Sequence, residues 1–327
     1  MIIAELGSVH DGSFGNALKL IDLAAECKAD FVKFQMHIAD KETLKNAPSP
    51  SYFKDEDRYN YFKRLQFSDD KWIKIIKYCK KHKIAFMCSI FSSESLKKLI
   101  NFGVKNIKIP SGEVSNIPLL TEVNKYSNLN IFLSSGMSSW PEIDKALKTL
   151  KKNKIILMQC TSSYPCNDVD VGLNVLTDMK KKYGNKYKYG FSDHSVGSEA
   201  AICSLAYGAE YVEKHVTFSK KMYGSDAKFA MEPNEFYEFC KSINRTKILI
   251  KSKINKNNIK PFIKMKETFE KKIVAKRKIK KGEKIFIEDL DFKKAIGGVK
   301  ASNFKLFLGK KIKKTTSKDQ VISFKHI

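Results

Sequence analysis

The chain has 327 residues, of which 43% are hydrophobic and 29% are charged, a composition that excludes a disordered protein and allows one large core with a small additional domain. The formal net charge of +26 would suit a nucleic-acid-binding protein, but the excess is lysine spread along the chain, without a ribonucleoprotein, zinc-finger or helix-turn-helix pattern. No apolar run approaches the ~18 residues of a membrane span, and the seven scattered cysteines, none in C-x-x-C spacing, indicate a reducing cytoplasm. We therefore expect a cytoplasmic protein that binds neither nucleic acid nor a membrane.

In chain order, short β-branched or aromatic runs alternate with segments of helical periodicity, which is typical of parallel βα units. Eight strands are predicted, at residues 2–6, 31–35, 84–90, 106–110, 130–135, 155–162, 187–194 and 211–218. Between the first two, Ala17, Leu20, Ile21 and Ala24 fall on one helical face. Eight such units within about 250 residues predict an α/β fold, a (β/α)8 TIM barrel.

The segment after the second predicted strand, residues 41–67, is too long for an ordinary connection between a strand and a helix. It carries Pro48, Pro50 and several aromatic residues. We expect it to fold over the mouth of the barrel as a lid.

The C-terminal part of the chain follows a different pattern. Residues 255–266 are rich in lysine and asparagine and are predicted to be a linker. Short strands are then predicted at residues 272–275, 285–287, 290–292 and 321–324, separated by glycine-containing turns. We therefore expect a barrel domain at residues 1–254, the linker, and a small β-rich domain at residues 267–327.

Polar side chains cluster where the predicted strands end, and in a TIM barrel those ends share the face that holds the active site. The strand-end residues are Glu5, Lys33, Gln35, Ser89, Lys108, Ser111, Ser134, Ser135, Thr161, Ser162, Asp193, His194, Glu213 and His215. A random globular chain would not sort them in this way, so this end of the barrel is the predicted site.

His194 and His215 end the seventh and eighth predicted strands, which are neighbours in a barrel, so both imidazoles can converge on one point. Each has an acid close by, Asp193 or Glu213, that could orient it. A lone histidine is more often structural, but this pair predicts a metal site. Two histidines with oxygen ligands and open positions suit Mn²⁺ or Mg²⁺ as a Lewis acid better than zinc.

Lys33 and Lys108 end otherwise apolar strands, and with nearby serine hydroxyls they predict a site for an anion. The serines are Ser111, Ser134, Ser135 and Ser192. Three carboxylates, those of Glu5, Glu113 and Asp226, are placed to orient hydroxyls or to move a proton. Glu113 fits a helix cap equally well.

These motifs resemble the sialic acid synthase family, and the resemblance covers nearly the whole chain. Seven strings occur in family order, at residues 3–12, 32–35, 108–113, 134–137, 160–165, 192–194 and 213–215. Residues 279–283, Ile-Lys-Lys-Gly-Glu, resemble part of the antifreeze-like (SAF) domain that family members append to their barrel. Each string is weak by itself, but seven in order are specific.

The resemblance implies a condensation of phosphoenolpyruvate with an N-acylated amino-sugar aldehyde of the N-acetylmannosamine type. The products would be phosphate and a nonulosonic acid, which is a sialic-type nine-carbon sugar acid. The resemblance also implies Mn²⁺ at His194 and His215, with Mg²⁺ or Co²⁺ as alternatives. It further implies a domain-swapped homodimer in which the small domain caps the barrel of the partner.

The same resemblance implies roles for individual residues. The catalytic residues would be His194, His215 and Glu5, which would steer a water molecule. The residues that would bind phosphoenolpyruvate are Lys33, Ser89, Lys108, Ser111, Ser134, Ser162 and Ser192. The residues that would meet the sugar are Gln35, Glu213, Asp226 and Lys294. Lys294 stands where the appended domain usually offers an arginine, so it keeps the charge but not the bidentate fork.

Other functions are compatible with parts of the pattern. A synthase of the legionaminic or pseudaminic type, acting on a diacetamido hexose, would keep the phosphoenolpyruvate half of the site unchanged. The basic charge also permits a nucleic-acid-binding protein on a barrel that has lost its chemistry. A third alternative is a phosphoenolpyruvate-binding regulator without turnover, which the retained lysines and histidines argue against.

Overall fold

Eight parallel strands close into a barrel within the first of two units, Met1–Ser252 and Lys253–Ile327, into which the chain divides. This computed structural model describes residues 1–49 and 56–327. The strands are β1 (Ile2–Gly7), β2 (Phe31–Met36), β3 (Ala85–Ile90), β4 (Asn106–Ile109), β5 (Asn130–Ser134), β6 (Lys154–Cys160), β7 (Lys188–Asp193) and β8 (Tyr211–His215). Each strand pairs with the next, and β8 returns to β1 with His215 opposite Glu5. The predicted TIM barrel is confirmed.

Two predicted strands extend too far. The last was expected to continue to residue 218, but β8 ends at His215. Val216 bridges to Met231, which precedes the last helix of the barrel unit, so the chain turns away from the barrel there. The sixth was expected to reach residue 162, but β6 ends at Cys160. The hydroxyl of Thr161 donates to the carbonyl of Asp170 instead, within the loop that follows.

Ten helices of the described part of the first unit surround or follow the strands. They are α1 (Phe14–Glu26), α2 (Ala39–Glu42), α3 (Arg58–Arg64), α4 (Asp69–Lys81), α5 (Ser93–Asn101), α6 (Ile117–Val123), α7 (Trp140–Thr149), α8 (Asn174–Tyr183), α9 (Glu199–Ala206) and α10 (Pro233–Lys251). In α1 the predicted apolar face of Ala17, Leu20, Ile21 and Ala24 is buried, and Ser13 caps the helix by accepting from the backbone of Asn16. Within the described ranges, no helix is long and apolar enough to cross a membrane.

The segment predicted to be a lid contains the end of α2 and all of α3, while residues 50–55, including Pro50, lie outside the described residues. Two side chains of α3 connect it to loops at the carboxyl ends of the strands. The hydroxyl of Tyr61 accepts from the backbone N–H of Ser225 at 3.2 Å, and Arg64 forms an ion pair with Asp11. The described part of this segment therefore packs against the loops that follow β8 and β1.

The second unit has a small core of its own around two antiparallel strands, β9 (Lys271–Ala275) and β10 (Leu290–Lys294). Two predicted strands are wrong. At residues 285–287, Asp289 accepts from the backbone of Phe286 and bends the chain into the 3₁₀ turn Ile287–Asp289. At residues 321–324, Val321 makes only an isolated bridge to Val274 before the 3₁₀ turn Phe324–His326. The helix α11 (Ile263–Phe269) begins within the predicted linker.

Candidate active site

The interior of the barrel has an apolar layer beneath a polar one. Side chains alternate along a strand, so residues two positions apart point to the same side of the barrel wall. The apolar layer contains Ile3, Phe31, Met87, Phe132 and Tyr211. Two positions further along the same strands come Glu5, Lys33, Ser89, Ser134 and Glu213. The predicted strand-end residues therefore converge at the mouth, which here means the carboxyl end of the barrel.

Glu213 is the centre of a buried ion cluster at the mouth. Its Oε1 accepts from Lys33 Nζ at 2.9 Å and from Ser192 Oγ at 2.7 Å, and its Oε2 accepts from Lys108 Nζ at 2.9 Å. Burial alone would raise the pKa of Glu213, but Lys108 and Lys33 outweigh burial and hold that pKa well below its usual value. Both predicted lysines thus meet on one ionised carboxylate.

The two lysines differ in their surroundings. Burial would lower the pKa of Lys33, but Glu213 and Glu5 outweigh burial and raise it. The Oε2 atom of Glu5 lies 3.3 Å from Lys33 Nζ. The pKa of Lys108 is lowered, first by burial and then by the neighbouring charge of Lys33. Lys33 therefore contacts two carboxylates, Glu5 and Glu213, whereas Lys108 contacts only Glu213 among the described carboxylates.

Glu5 is buried and accepts from Gln35 Nε2 at 2.6 Å through its Oε1. Burial raises its pKa to about 7; the charges of Glu213 and Asp226 act in the same direction, and Lys33 opposes them. A carboxyl group with such a pKa can give or take a proton near neutral pH. Glu5 therefore meets the chemical requirement for the proton-transfer role predicted for it.

The rings of His194 and His215 lie together, with 5.7 Å between their centroids. The carbonyl of Thr161 accepts from His194 Nδ1 at 2.8 Å, so Nε2 is the nitrogen of that ring that could bind a metal. Burial lowers the pKa of His215 to about 4, so its imidazole is neutral, which is the form that binds metals. Its buried Nδ1 has no hydrogen-bond partner among the described residues.

The orientation of these histidines corrects one prediction. Asp193 does not orient His194: it accepts from Lys214 Nζ at 2.7 Å and from the hydroxyl of Ser195. Successive residues of a strand point to opposite faces, so Asp193 points away from the mouth. Glu213 is likewise occupied by Lys33, Lys108 and Ser192. The backbone of Thr161 orients His194 instead.

Asp226 comes from the loop after β8 and lies beside His215. Its Oδ2 accepts from both the backbone and the hydroxyl of Ser8, each at 2.9 Å. Gly7 lies directly beneath, with a φ of +48°, and a Cβ there would collide with Oδ2 of Asp226 and lie 3.4 Å from Cε1 of His215. Even so, no three His, Cys, Asp or Glu side chains of the described chain are grouped closely enough to hold a metal.

Hydroxyls from two other loops meet at Gly136, two residues after Ser134. A Cβ on Gly136 would lie 2.6 Å from Oγ of Ser111 and closer still to Oγ of Ser162. Ser111 and Ser162, predicted separately from the sequence, are thus brought together. Ser135 faces the other way, and its hydroxyl donates to Gln159 Oε1 at 3.0 Å.

Two further predicted residues have other contacts. Glu113 accepts from Asn116 Nδ2 at 2.7 Å, and Asn116 in turn caps α6, which favours the capping alternative for Glu113. Lys294 is an exposed residue of β10, and its Nζ lies 4.8 Å from the centre of the Phe269 ring. The predicted contact of Lys294 with a sugar stays a prediction.

A cavity of about 1130 Å³ opens at the other end of the barrel, where β5 to β8 begin. Its lining includes Lys154, Lys188 and Tyr211, and among the described residues none of the mouth cluster takes part. The lysines there are exposed, whereas those at the mouth are buried and fixed by hydrogen bonds. Of these two ends of the barrel, the mouth is the one whose charges are held in a dry, fixed arrangement, so it is the candidate active site.

Sequence reasoning missed three residues close to this cluster: Ser8, Tyr61 and His37. Ser8 holds Asp226, and Tyr61 reaches the same loop through Ser225. No strand pattern could reveal these two, because they come from a loop and from α3. His37 had a signal, since it follows Gln35 by two positions and so continues an inward-facing row.

Similarity to known proteins extends over both units. The chain matches the NeuB family over residues 20–255 and the SAF domain over residues 271–327. An N,N'-diacetyllegionaminic acid synthase of Campylobacter jejuni is 36% identical over 98% of this chain and 98% of its own. The human N-acetylneuraminate-9-phosphate synthase is 29% identical over 98% of this chain and 90% of its own. A crystal structure of N-acetylneuraminic acid (sialic acid) synthetase from Leptospira borgpetersenii, in complex with citrate, is 32% identical; the match has a TM-score of 0.71 and covers 82% of this chain and 91% of that one.

Proposed function

Since the chain belongs to the NeuB family, we propose that it condenses phosphoenolpyruvate with an N-acylated amino-sugar aldehyde, giving a nonulosonic acid and phosphate. The acceptor in this proposal is of the N-acetylmannosamine type. The observation that carries it is the convergence of Lys33 and Lys108 on Glu213, beside Glu5, at the mouth of the barrel. A cytoplasmic location, where phosphoenolpyruvate is made, is part of the same proposal.

The ion cluster suits phosphoenolpyruvate because that substrate carries both a carboxylate and a phosphate. Lys33 and Lys108 carry two positive charges against the single negative charge of the ionised Glu213, and the raised pKa of Glu5 reduces its own negative charge near neutral pH, so the cluster attracts an anion. Charge-assisted hydrogen bonds are about twice as strong as neutral ones. The hydroxyls that meet at Gly136 would add donors for the phosphate oxygens.

The two imidazoles fit a divalent metal, because His215 is neutral with an unpartnered Nδ1 among the described residues and His194 lies beside it. The metal in our proposal is Mn²⁺, with Mg²⁺ or Co²⁺ as alternatives, held by His194 and His215. When bound, it would polarise the aldehyde of the acceptor. The remaining coordination positions would be open to substrate or water, since only two protein ligands are proposed.

In this proposal, each residue of the mouth has a separate role in the reaction. C3 of phosphoenolpyruvate forms a bond to the aldehyde carbon while the aldehyde C=O double bond opens and its oxygen takes up a proton to become a hydroxyl. Water adds at C2, and the bond between C2 and the phosphate oxygen breaks, so phosphate leaves and a ketone remains at C2. Glu5 accepts the proton of that water, for which a pKa of about 7 is suitable. Lys33 and Lys108 hold the anion throughout, and Gln35 and Asp226 orient the sugar.

One specific observation favours a second acceptor sugar. The relative that is 36% identical is named a synthase of N,N'-diacetyllegionaminic acid, so a diacetamido hexose is the alternative substrate. The sugar-facing contribution of Lys294, and the homodimer in which a small domain caps the partner's barrel, remain part of the proposal. Both acceptors would use the same phosphoenolpyruvate site.

Phosphate release tests the proposal. The purified chain is incubated with phosphoenolpyruvate, Mn²⁺ and a panel of N-acylated hexosamines that includes N-acetylmannosamine and a 2,4-diacetamido hexose. We expect phosphate release that depends on both the sugar and the metal, and a product whose mass equals the sugar plus pyruvate. Phosphate release that does not depend on any sugar, or none with any member of the panel, would contradict the proposal.

A further inference from the structure

A chain of four side chains reaches the mouth from the segment that follows β2. His37, which is 7% exposed, places its Nδ1 at 2.6 Å from Glu42 Oε1 and its Nε2 at 3.0 Å from Gln35 Oε1. Gln35 donates from Nε2 to Glu5 Oε1 at 2.6 Å. Glu42, His37, Gln35 and Glu5 thus form a continuous series of hydrogen bonds that ends on the group proposed to accept the proton.

The imidazole of His37 is clamped on both faces. The ring of Phe62 stacks on one face at 3.9 Å and 13°, and the ring of Phe91 stacks on the other at 4.1 Å and 20°. Glu42, which fixes the Nδ1 edge, is itself buried, with 5% of its side chain exposed. Two stacked rings and two hydrogen bonds leave the imidazole one orientation, which is how a supporting residue fixes the geometry of a site.

The acceptor atoms of this series determine which of its other atoms donate a hydrogen. The oxygen of the Gln35 amide carries no hydrogen, so His37 Nε2 donates to it, and Glu42 Oε1 lies 2.6 Å from Nδ1 on the other edge of the ring. The amide of Gln35 consequently has its oxygen on His37 and its NH₂ group on Glu5. Without His37, only the contact with Glu5 would distinguish the two ends of the amide.

We propose that His37 is a positioning residue: anchored by Glu42 and clamped between Phe62 and Phe91, it fixes the Gln35 amide so that its NH₂ group holds Glu5 Oε1. His37 itself need not touch either substrate. The kinetic consequence rests on the proposed function, whereas the orientation of the amide does not. Loss of His37 removes one of the two hydrogen bonds that fix the amide, so the amide holds Glu5 Oε1 less firmly.

A spectroscopic test addresses the orientation without requiring turnover. The chain has six histidines, and ¹⁵N-histidine NMR of the wild type and of His37→Phe identifies the His37 signals. We expect His37 Nε2 to carry a hydrogen, and we expect its signal to shift in Gln35→Leu while the Nδ1 signal changes little. An Nε2 atom without a hydrogen, or an Nε2 signal unchanged in Gln35→Leu, would overturn the proposal even if the enzyme makes a nonulosonic acid.

Kinetics test the consequence with a matched control. His37→Phe keeps the stacking and removes both hydrogen bonds, and a displaced reacting group costs on the order of tenfold to a hundredfold in rate. We expect kcat to fall by that amount while KM for phosphoenolpyruvate changes less than about twofold. The control is His82→Phe. Like His37, His82 stacks on an aromatic ring, that of Tyr78, and faces a carboxylate, that of Asp22 on α1. His82→Phe should keep wild-type kinetics.

Two further variants keep the proposal falsifiable if His37→Phe does not fold. In Glu42→Gln the Nδ1 atom keeps a hydrogen-bond partner, so the loss in kcat should be smaller than in Glu42→Ala. The double variant of His37→Phe and Gln35→Leu should be no slower than Gln35→Leu alone, because His37 acts through that amide. Additive losses, or a rise in KM for phosphoenolpyruvate equal to the loss in kcat, would show that His37 only supports the fold.

Discussion

The two ends of the barrel are both rich in lysine but hold it differently. At the mouth, Lys33 and Lys108 are 4% and 1% exposed, and both donate to Glu213. At the other end, Lys188 is exposed and lies 3.6 Å from a carboxylate oxygen of Glu210, whose side chain is 52% exposed. An exposed pair contributes ~0–1 kcal/mol, whereas removing one partner of a buried pair costs about 3–5 kcal/mol. The position of a charge, and not the number of charges, identifies the site.

This difference also explains why the net charge of +26 is a poor guide to function. Charges in solvent are screened beyond about 8–10 Å at ordinary salt concentration. The buried cluster is shielded from that screening and sits above an apolar layer that contains Ile3, Met87 and Phe132. The few lysines at inward-facing strand positions therefore indicate the function better than the many exposed lysines that produce the net charge.

The largest expected effect comes from the histidines of the mouth. His194→Ala or His215→Ala should lower turnover about a thousandfold or more, because losing a Lewis acid removes several kcal/mol of transition-state stabilisation. The melting temperature should change little, since neither ring belongs to the apolar core clusters. Near-normal turnover in either variant, or after treatment of the wild type with a chelator, would show that the metal assignment is wrong.

Glu5→Gln should lower kcat about a hundredfold or more, the contribution of a well-placed general base. In the wild type, kcat should rise as the pH increases through about 7, because burial raises the pKa of Glu5 to that value and only the ionised form accepts a proton. The variant should lack this dependence. A wild-type profile that is flat between pH 6 and about 8 would argue that Glu5 does not transfer the proton.

The same pKa shift predicts a change in stability. The unfolded chain releases the Glu5 proton near the ordinary value of 4.5, whereas the folded chain keeps it until about 7. The stability that Glu5 contributes is therefore complete below about 4.5 and is lost as the pH rises to about 7. Urea unfolding at several pH values should show this decline in the wild type and a smaller decline in Glu5→Gln; parallel curves would contradict the shift.

Substitutions of the two lysines should have smaller, separable effects. Lys33→Met and Lys108→Met should each raise KM for phosphoenolpyruvate about tenfold, the loss expected for a charge-assisted contact of roughly 1.5–3 kcal/mol. Lys33→Met should also be the less stable variant, because it leaves Glu5 and Glu213 facing each other without a shared cation. Equal increases of KM for both substrates would mean that the lysines shape the mouth and do not bind the anion.

Substituting lysines at the other end of the barrel should have almost no effect on the kinetic constants. The double variant of Lys154→Gln and Lys188→Gln removes two exposed positive charges from the lining of the cavity there. We expect kcat and both KM values within about twofold of the wild type, because surface charges contribute ~0–1 kcal/mol. A rise in KM for phosphoenolpyruvate as large as that of Lys108→Met would contradict the proposed difference between the two ends.

Much of the fold and the mouth could be predicted from the sequence because strand periodicity fixes which side chains point inward. Lys33 and Lys108 interrupt apolar strands, and that interruption is visible without a structure. The bonding within the mouth was not predictable in the same way. Nothing in the string Ser-Asp-His revealed that Asp193 would pair with Lys214 on the outer side of the strands.

The second unit was less predictable for a physical reason. Its strands are short, and the apolar residues at 285–287 form a 3₁₀ turn because the side chain of Asp289 bonds back to Phe286. Such a local side-chain contact competes with strand pairing but leaves little trace in a hydrophobic pattern. Residues that reach the mouth from helices and loops, such as Tyr61 and Ser8, were missed because their proximity depends on tertiary packing.

The central claim is that the buried ion cluster at the mouth binds phosphoenolpyruvate, and calorimetry tests it most directly. Phosphoenolpyruvate is titrated, with Mn²⁺ and without a sugar, into the wild type, into Lys108→Met, and into the double variant of Lys154→Gln and Lys188→Gln. We predict one site per chain in the wild type, affinity about tenfold weaker in Lys108→Met, and unchanged affinity in the double variant. Unchanged affinity in Lys108→Met together with weakened affinity in the double variant would place the anion site at the other end of the barrel and contradict the account.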